Sequence, residues 1–255
     1  MTLEVECVPC LSDNYAYIVR SPGSREALIV DVPEAAPILK SLEATGMAAS
    51  HVLVTHHHAD HVLGLAELLH RHPARVVGAK ADVHRLPPLT TQVREGDSIE
   101  LAGETAHVID VSGHTIGHVA YHFPLSGLVF TADSLMALGC GRVFEGTMTQ
   151  MWRSLGKLAA LPPETMVYSG HEYTSANAKF ALTIDPDNRD LVARARDIDN
   201  LRSRGLATVP SKLSTELATN PFLRCSDPAI QANLGMSGAA PEDVFSEIRN
   251  RKDNF

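Results

Sequence analysis

One apolar segment of the chain leads directly into a run of side chains that can bind metal ions. Val52–Val54 is followed by the run THHHADH at residues 55–61. The possible ligands in this run are His56, His58, Asp60 and His61. Imidazole nitrogens and carboxylate oxygens are common ligands of zinc, iron and manganese. Four such groups after an apolar strand have no packing purpose, so their spacing predicts a metal site.

Three further strand-like segments each end near a possible ligand. These ligands are His114, Asp133 and His171, which follow Val108–Val111, Leu128–Ala132 and Met166–Tyr168. Binding groups collect at the carboxyl ends of strands because the turns there are free of core packing. One metal ion with an open coordination position uses three or four protein ligands, so seven candidates predict two ions.

We predict a specific division of these ligands. His56, His58 and His114 bind the first ion, Asp60, His61 and His171 bind the second, and Asp133 bridges the two. The chain has 13 histidines. We interpret the other eight as surface or core residues, namely His51, His57, His70, His72, His84, His107, His118 and His122.

Composition and charge limit the classes of partner. The net charge of -8 argues against a nucleic-acid partner, which would need a basic face. No apolar run approaches the roughly 20 residues of a membrane span, and the first residues do not resemble a signal peptide. We therefore expect a cytoplasmic protein without a membrane partner. No exposed apolar stripe is evident, which favours a monomer.

The four cysteines are too few and too scattered to form a disulfide framework. Cys7 and Cys10 have the C-x-x-C spacing of redox and zinc motifs, but they lie in a predicted strand and turn. Residues three apart on a strand face opposite sides, and no second cysteine pair completes a zinc site. We therefore do not expect this pair to be functional.

Short β-rich segments dominate the first two thirds of the chain. They are Leu3–Val8, Tyr15–Val19, Ala27–Val30, His51–Val54, Arg75–Val77, His107–Val111, Val119–Phe123, Leu128–Phe130 and Met166–Tyr168. Helical patterns at Pro33–Thr45 and Val62–Arg71 lie between them, and this order favours sheets covered by helices.

The pattern changes after Tyr173. Helices are predicted at Arg189–Arg204, Asp227–Leu234 and Pro241–Arg251, and no strand-like alternation is visible. Length alone allows either one large domain or a domain with a small appendage. We predict one domain over residues 1–173 and a small all-helical domain over residues 174–255.

The motifs together resemble the metallo-β-lactamase superfamily and, more closely, its glyoxalase II branch, the hydroxyacylglutathione hydrolases. The metal motifs THHHADH, SGHTIGH, FTAD and YSGHEYT are shared across the superfamily, and SDNY at 12–15 also matches. Residues 139–147, 220–224 and 249–253 point to glyoxalase II. The resemblance covers essentially the whole chain. It implies an α/β (α+β) fold, a four-layer αββα sandwich with a small C-terminal helical domain. It also implies that residues 1–173 form the catalytic domain and residues 174–255 the substrate-binding domain.

The resemblance also implies an activity, the hydrolysis of S-(2-hydroxyacyl)glutathione thioesters. The chief substrate would be S-D-lactoylglutathione, split to D-lactate and glutathione in methylglyoxal detoxification. A hydroxide bridging two divalent ions would attack the carbonyl, with Asp60 and Asp133 orienting it. We expect zinc, with iron or manganese as alternatives. A thiolate leaves readily, since its parent thiol has a pKa near ~8.5, so no general acid is required.

The family pattern assigns glutathione contacts to five residues, Arg142, Phe144, Tyr173, Arg249 and Lys252. For Arg249 and Lys252 the alternative is a solvated, charged helix end. Two positions depart from the better-known members of the family, which carry Lys where this chain has Arg142 and often Tyr where it has Phe144. The missing hydroxyl predicts weaker substrate binding.

Three side chains are candidates for positioning the ligands. Asp31 either accepts a hydrogen bond from a ligand imidazole or forms a strand-end turn, and Thr115 and Ser169 lie next to predicted ligands. The competing functions are a β-lactamase, a lactonase or a persulfide dioxygenase on the same fold. A non-catalytic metal-binding or regulatory protein is a further alternative, but such proteins commonly lose a ligand, and here all seven positions are filled.

Overall fold

The computed structural model describes residues 2–255. The chain contains two compact units: the first comprises residues up to Asp110 together with Thr115–Ala132, and the second comprises Val111–His114 and Asp133–Phe255. Within residues 2–255, no helix has the length and apolar character that a membrane span requires. The domain boundary after residue 173 stays a prediction.

The first unit contains a sheet of six strands in chain order. The strands are β1 (Glu4–Cys10), β2 (Asn14–Arg20), β3 (Glu26–Val30), β4 (Ala48–Leu53), β5 (Arg75–Ala79) and β6 (Thr91–Val93). Strands β1 to β3 are antiparallel, and β3 to β6 are parallel. The helix α1 (Ala35–Thr45) connects β3 to β4, because parallel neighbours require a crossover.

Four more strands of this unit pair antiparallel. They are β7 (Ser98–Leu101), β8 (Glu104–Asp110), β9 (Val119–Phe123) and β10 (Leu128–Ala132). Since β9 pairs antiparallel with both neighbours, β8 and β10 run in the same direction and end at the same edge. His114 and Asp133 follow these two strand ends.

The predicted helix Val62–Arg71 is split into α2 (Ala59–Val62) and α3 (Leu65–Arg71). Gly64 separates them and donates its N–H to the carbonyl of Val32 at 2.9 Å. A side chain at Gly64 would lie 2.5 Å from the backbone nitrogen of Ala35. The break therefore allows the chain to approach the start of α1 closely.

The second unit holds four short strands and six helices. They are β11 (Leu135–Met136), β12 (Gly139–Cys140), α4 (Met148–Ala159), β13 (Met166–Ser169), α5 (Thr174–Ile184), α6 (Arg189–Ser203), β14 (Ser211–Lys212), α7 (Leu213–Thr219), α8 (Pro228–Leu234) and α9 (Pro241–Asp253). All nine predicted strands and all predicted helices overlap observed elements.

The second unit differs from the sequence prediction in one strand after residue 173 and in elements that had no prediction of their own, namely β11, β12, α4, α5 and α7. The segment after residue 173 is not entirely helical, because β14 pairs with β13. A strand of two residues is too short to show alternation, so its sequence gives no signal. Helix α4 was not predicted, although Thr147 and Gln150 form a capping box at its start.

Candidate metal centre

The first group of donors follows β4 in the first unit. The rings of His56 and His58 have centroids 4.8 Å apart, and those of His56 and His61 are 4.2 Å apart. His61 Nε2 lies 3.9 Å from Asp60 Oδ2. His56 and His61 are fully buried. The sharp turn after a buried strand therefore brings the four predicted ligands of this run together.

The hydrogen bond predicted for Asp31 is present. His61 Nδ1 lies 2.8 Å from Asp31 Oδ2, and Thr55 donates to the same carboxylate from its backbone N–H and its hydroxyl. A carboxylate only accepts, so His61 Nδ1 carries the proton and Nε2 keeps the lone pair that a metal ion requires. Asp31 has φ 55°, a conformation that Asp tolerates better than most residues.

Sequence reasoning missed three side chains around this group. Buried Asn14 donates to Asp60 Oδ2 at 3.1 Å and to the Asp60 carbonyl at 3.0 Å. The His118 ring, fully buried, stacks on His56 with centroids 4.6 Å apart. His57 Nδ1 lies 2.7 Å from the buried carboxylate of Asp82. Only the SDNY motif carried a signal for Asn14; the other two contacts depend on distant segments.

The second group of donors lies in the second unit. His114 Nε2 is 3.4 Å and His171 Nε2 is 3.2 Å from Asp133 Oδ2, and all three side chains are buried. His114 Nδ1 donates to the carbonyl of Arg142 at 2.7 Å, which leaves a lone pair on Nε2. A lone pair that faces a carboxylate oxygen is repelled unless a cation lies between them, so this arrangement fits a metal ion.

The donor set as a whole has the chemistry of a divalent metal site. Within the first unit, ligand atoms of Asp31, His56 and His61 lie within 4.8 Å of one another. Imidazole and carboxylate suit zinc, iron and manganese. Of the two other positioning candidates, Ser169 is buried, and the Thr115 hydroxyl has no hydrogen-bond partner within the described chain.

Three of the predicted substrate-binding residues are exposed beside the second group. The ring of Phe144 is 60% exposed and contacts the edge of His114, with centroids 5.3 Å apart. The guanidinium of Arg142 lies 5.6 Å from the Phe144 ring. Tyr173, 40% exposed, stacks on His171 at 4.6 Å with the rings nearly parallel. These side chains are accessible to a ligand that approaches His114 or His171.

The two basic residues of α9 are in different environments. Arg249 is only 5% exposed, donates to the carbonyl of Cys140 at 2.8 Å and lies 3.0 Å from Asp253, so the alternative of a solvated helix end is wrong for it. Lys252 is partly buried and donates to the Ala176 carbonyl at 3.3 Å. Burial and, to a smaller extent, the charge of Arg249 lower the pKa of Lys252.

The buried thiols of Cys10 and Cys140 are poor nucleophiles. Burial raises the pKa of Cys10 and of Cys140 to about 11, although the charge of Arg249 partly offsets this at Cys140. Cys10 ends β1, three residues after Cys7. A buried thiol with a raised pKa is unreactive at neutral pH, which agrees with the expectation that this pair has no redox function.

Comparison with known proteins identifies relatives of the whole chain. The model of the metallo-beta-lactamase superfamily matches residues 13–171, and the model of the hydroxyacylglutathione hydrolase C-terminus matches residues 172–255. A hydroxyacylglutathione hydrolase from Ruegeria pomeroyi is 59% identical over 255 residues, covering all of both chains. A protein of that name from Roseobacter denitrificans is 58% identical, also over the full length of both.

Solved structures support the fold. The crystal structure of ETHE1 from Myxococcus xanthus matches with a TM-score of 0.69 and 24% identity, covering 98% of this chain and 91% of that chain. At this identity the match shows the fold alone, and together with the family models it confirms the predicted metallo-β-lactamase fold class with a C-terminal helical domain. From its sequence relatives and its family matches, the chain belongs to the hydroxyacylglutathione hydrolases of the metallo-beta-lactamase superfamily.

Proposed function

We propose that this protein hydrolyses the thioester of S-(2-hydroxyacyl)glutathione, with S-D-lactoylglutathione as the chief substrate. One observation carries the proposal: two buried imidazoles face the Asp133 carboxylate at 3.2 and 3.4 Å, an arrangement that a bound metal cation would stabilise. The relatives named hydroxyacylglutathione hydrolase favour this activity over the lactonase, β-lactamase and persulfide dioxygenase alternatives.

We infer that two divalent ions bind here, with zinc as the first choice and iron or manganese as alternatives. His56, His58 and His114 would hold one ion, Asp60, His61 and His171 the other, and Asp133 both. When bound, the ions would lower the pKa of a coordinated water to about 7 and polarise the substrate carbonyl. Asp60 and Asp133 would orient that water.

The chain's own residues fix the ligands and bind the substrate. Asp31 holds His61, and the carbonyl of Arg142 holds His114, so both imidazoles present Nε2. The exposed guanidinium of Arg142 and the ammonium of Lys252 would attract the glutathione carboxylates. Tyr173 and Phe144 would flank the substrate, and the charge of buried Arg249 would add to this attraction.

A thioester panel tests the proposed function directly. The purified protein, with its metal content measured, is assayed against lactoylglutathione, a β-lactam, a lactone and glutathione persulfide. We expect about two ions per chain and a preference for lactoylglutathione in kcat/KM of at least about a hundredfold, or ~2.7 kcal/mol. Comparable turnover of another class would contradict the assignment, and absence of turnover with bound metal would favour a non-catalytic protein.

Phe144→Tyr is expected to lower KM for lactoylglutathione. The ring is exposed, so the added hydroxyl meets no burial cost and supplies one donor to the substrate. A neutral hydrogen bond stabilises by ~0.5–1.5 kcal/mol, which corresponds to a decrease of about two- to tenfold. Steady-state kinetics of the variant and the wild type measure this. An unchanged or raised KM would show that no substrate group lies within reach of the hydroxyl.

Lys252 is expected to make KM depend on pH in the alkaline range. Its pKa is lowered by burial and by Arg249, so the ammonium loses its charge at a lower pH than an ordinary lysine. KM for the anionic substrate should therefore rise as the pH approaches this lowered value from below. Lys252→Arg keeps the charge and should remove the rise. If KM of Lys252→Arg rises at alkaline pH as it does in the wild type, a group other than Lys252 causes the rise.

Cytoplasmic location, the monomeric state and the absence of nucleic-acid and membrane partners stay predictions.

A further inference from the structure

A hairpin connects the proposed bridging ligand to the proposed substrate-binding arginine. Strands β11 and β12 form it over residues 135–140, with Asp133 two residues before it and Arg142 two residues after it. Gly141 closes its base by donating to the Ser134 carbonyl at 3.0 Å. A side chain at Gly141 would lie 1.9 Å from the Asp133 carbonyl oxygen. The backbones on both sides of the hairpin are therefore in direct contact.

Polar side chains from the segment after residue 173 bind the backbone of this hairpin at successive positions. Asn220 Nδ2 donates to the carbonyls of Met136 at 3.2 Å and Gly139 at 3.0 Å. Asn177 Nδ2 donates to the carbonyl of Ala137 at 3.1 Å. Buried carbonyls require partners, and side chains rather than neighbouring strands supply them here.

Two charged side chains also bind the backbone of the hairpin. Glu216 accepts the N–H of Leu138 at 2.9 Å, and Arg249 donates to the carbonyl of Cys140 at 2.8 Å. Both are buried, and Glu216 is also paired with Arg194 of α6. Every residue from Met136 to Cys140 thus has a backbone group bound by one of these buried side chains.

The tip of the hairpin is held by packing as well. Leu138 has φ 54°, a conformation that is unfavourable for leucine. Its side chain is fully buried in a cluster of α5 and α6 residues, Ala178, Ala181, Leu191, Ala195 and Ile198. A side chain at Gly139 would lie 2.5 Å from Asn177 Nδ2, so the hairpin is in tight contact on this side as well. The surrounding helices therefore impose the shape of the hairpin.

We propose that Asn177, Glu216, Asn220 and Arg249 are positioning residues that set the hairpin backbone, and through it Asp133 and Arg142. The inference rests on the proposed function for the roles of these last two residues. Asn220, the first residue of the NPFLR segment at 220–224, is fully buried and therefore does not contact the substrate. The proposal explains this residue by its hydrogen bonds to the hairpin. The helical segment would then serve the metal centre as well as the substrate.

Two variants remove donors to the hairpin without altering any proposed ligand. Asn220→Ser retains a hydroxyl that can still accept the N–H of Phe222, as Asn220 Oδ1 does, but loses the donors to Met136 and Gly139. Asn177→Ala removes the donor to Ala137. The matched control is Ile230→Val, which removes one buried carbon from α8 and no hydrogen bond.

Three measurements are made on each protein: hydrogen exchange of residues 135–141 without metal, cobalt affinity from the visible absorption of the bound ion, and kcat and KM. We expect both asparagine variants to exchange faster in this segment, to bind cobalt about tenfold more weakly and to lose kcat more than KM. Ile230→Val should lower only the melting temperature.

Asparagine variants with a lowered melting temperature but wild-type exchange and cobalt affinity would overturn the proposal. If Asn220→Ser does not fold, Asn177→Ala decides by the same criteria. A wild-type protein that binds no cobalt and does not hydrolyse lactoylglutathione would refute the proposed function, whereas faster exchange in the variants would still support the positioning of the hairpin. The two failures are therefore distinguishable.

Discussion

Replacing Asp133 with Asn is expected to reduce kcat/KM for lactoylglutathione by about a thousandfold or more, equivalent to ~4 kcal/mol. The substitution keeps the size of the side chain but removes the negative charge that faces His114 and His171 at 3.4 and 3.2 Å. A neutral amide cannot bridge two cations as a carboxylate does. The metal content should therefore fall below two ions per chain.

Metal analysis and steady-state kinetics on the same preparation test this expectation. Asp187→Asn is the matched control, because Asp187 is an exposed carboxylate of the same unit. The control should keep wild-type metal content and activity. If Asp133→Asn bound two ions with wild-type affinity and retained activity, Asp133 would not be the bridging ligand.

Replacing Asp31 with Asn is expected to weaken metal binding by about 10- to 100-fold, the usual effect of removing a hydrogen-bond partner of a ligand imidazole. Asn also tolerates the positive φ of 55° at this position, so backbone strain does not explain a loss. Its amide can still accept one hydrogen bond, but it cannot stabilise His61 as a carboxylate does.

Competition with a metal chelator, followed by activity and circular dichroism, separates these effects. We expect earlier metal loss in Asp31→Asn at a temperature where the protein is fully folded. Asp97→Asn, in the same unit, alters a carboxylate whose side chain is 39% exposed and provides the control. Wild-type resistance to the chelator in Asp31→Asn would show that the contact between Asp31 and His61 at 2.8 Å does not support the metal.

The identity of the donors was readable from the sequence because it depends on residue type and short spacing. The run at 55–61 follows β4, and His114, Asp133 and His171 follow β8, β10 and β13, as the apolar segments indicated. Nine of the fourteen strands within residues 2–255 were also readable, since buried strands produce continuous apolar runs. The strands β6, β7, β11, β12 and β14 and the helix α4 were missed. Strands β11, β12 and β14 have two residues each, which is too few for a pattern.

Partners of the donors were not readable, because they come from segments far apart in the chain. Asn14 and Asp60 are 46 residues apart, and Arg249 and Cys140 are 109 apart. Periodicity describes a residue's own element and carries no information about which distant backbone it will meet.

Arg249 illustrates the difference between these two kinds of information. Its place among charged residues left a solvated helix end as the alternative to a substrate contact, yet its guanidinium is buried against the Cys140 carbonyl. The sequence by itself determined which side chains could bind metal and that strand ends would present them. Only the tertiary structure decided which imidazole nitrogens are available and which buried side chains hold the hairpin, because both depend on hydrogen bonds between remote residues.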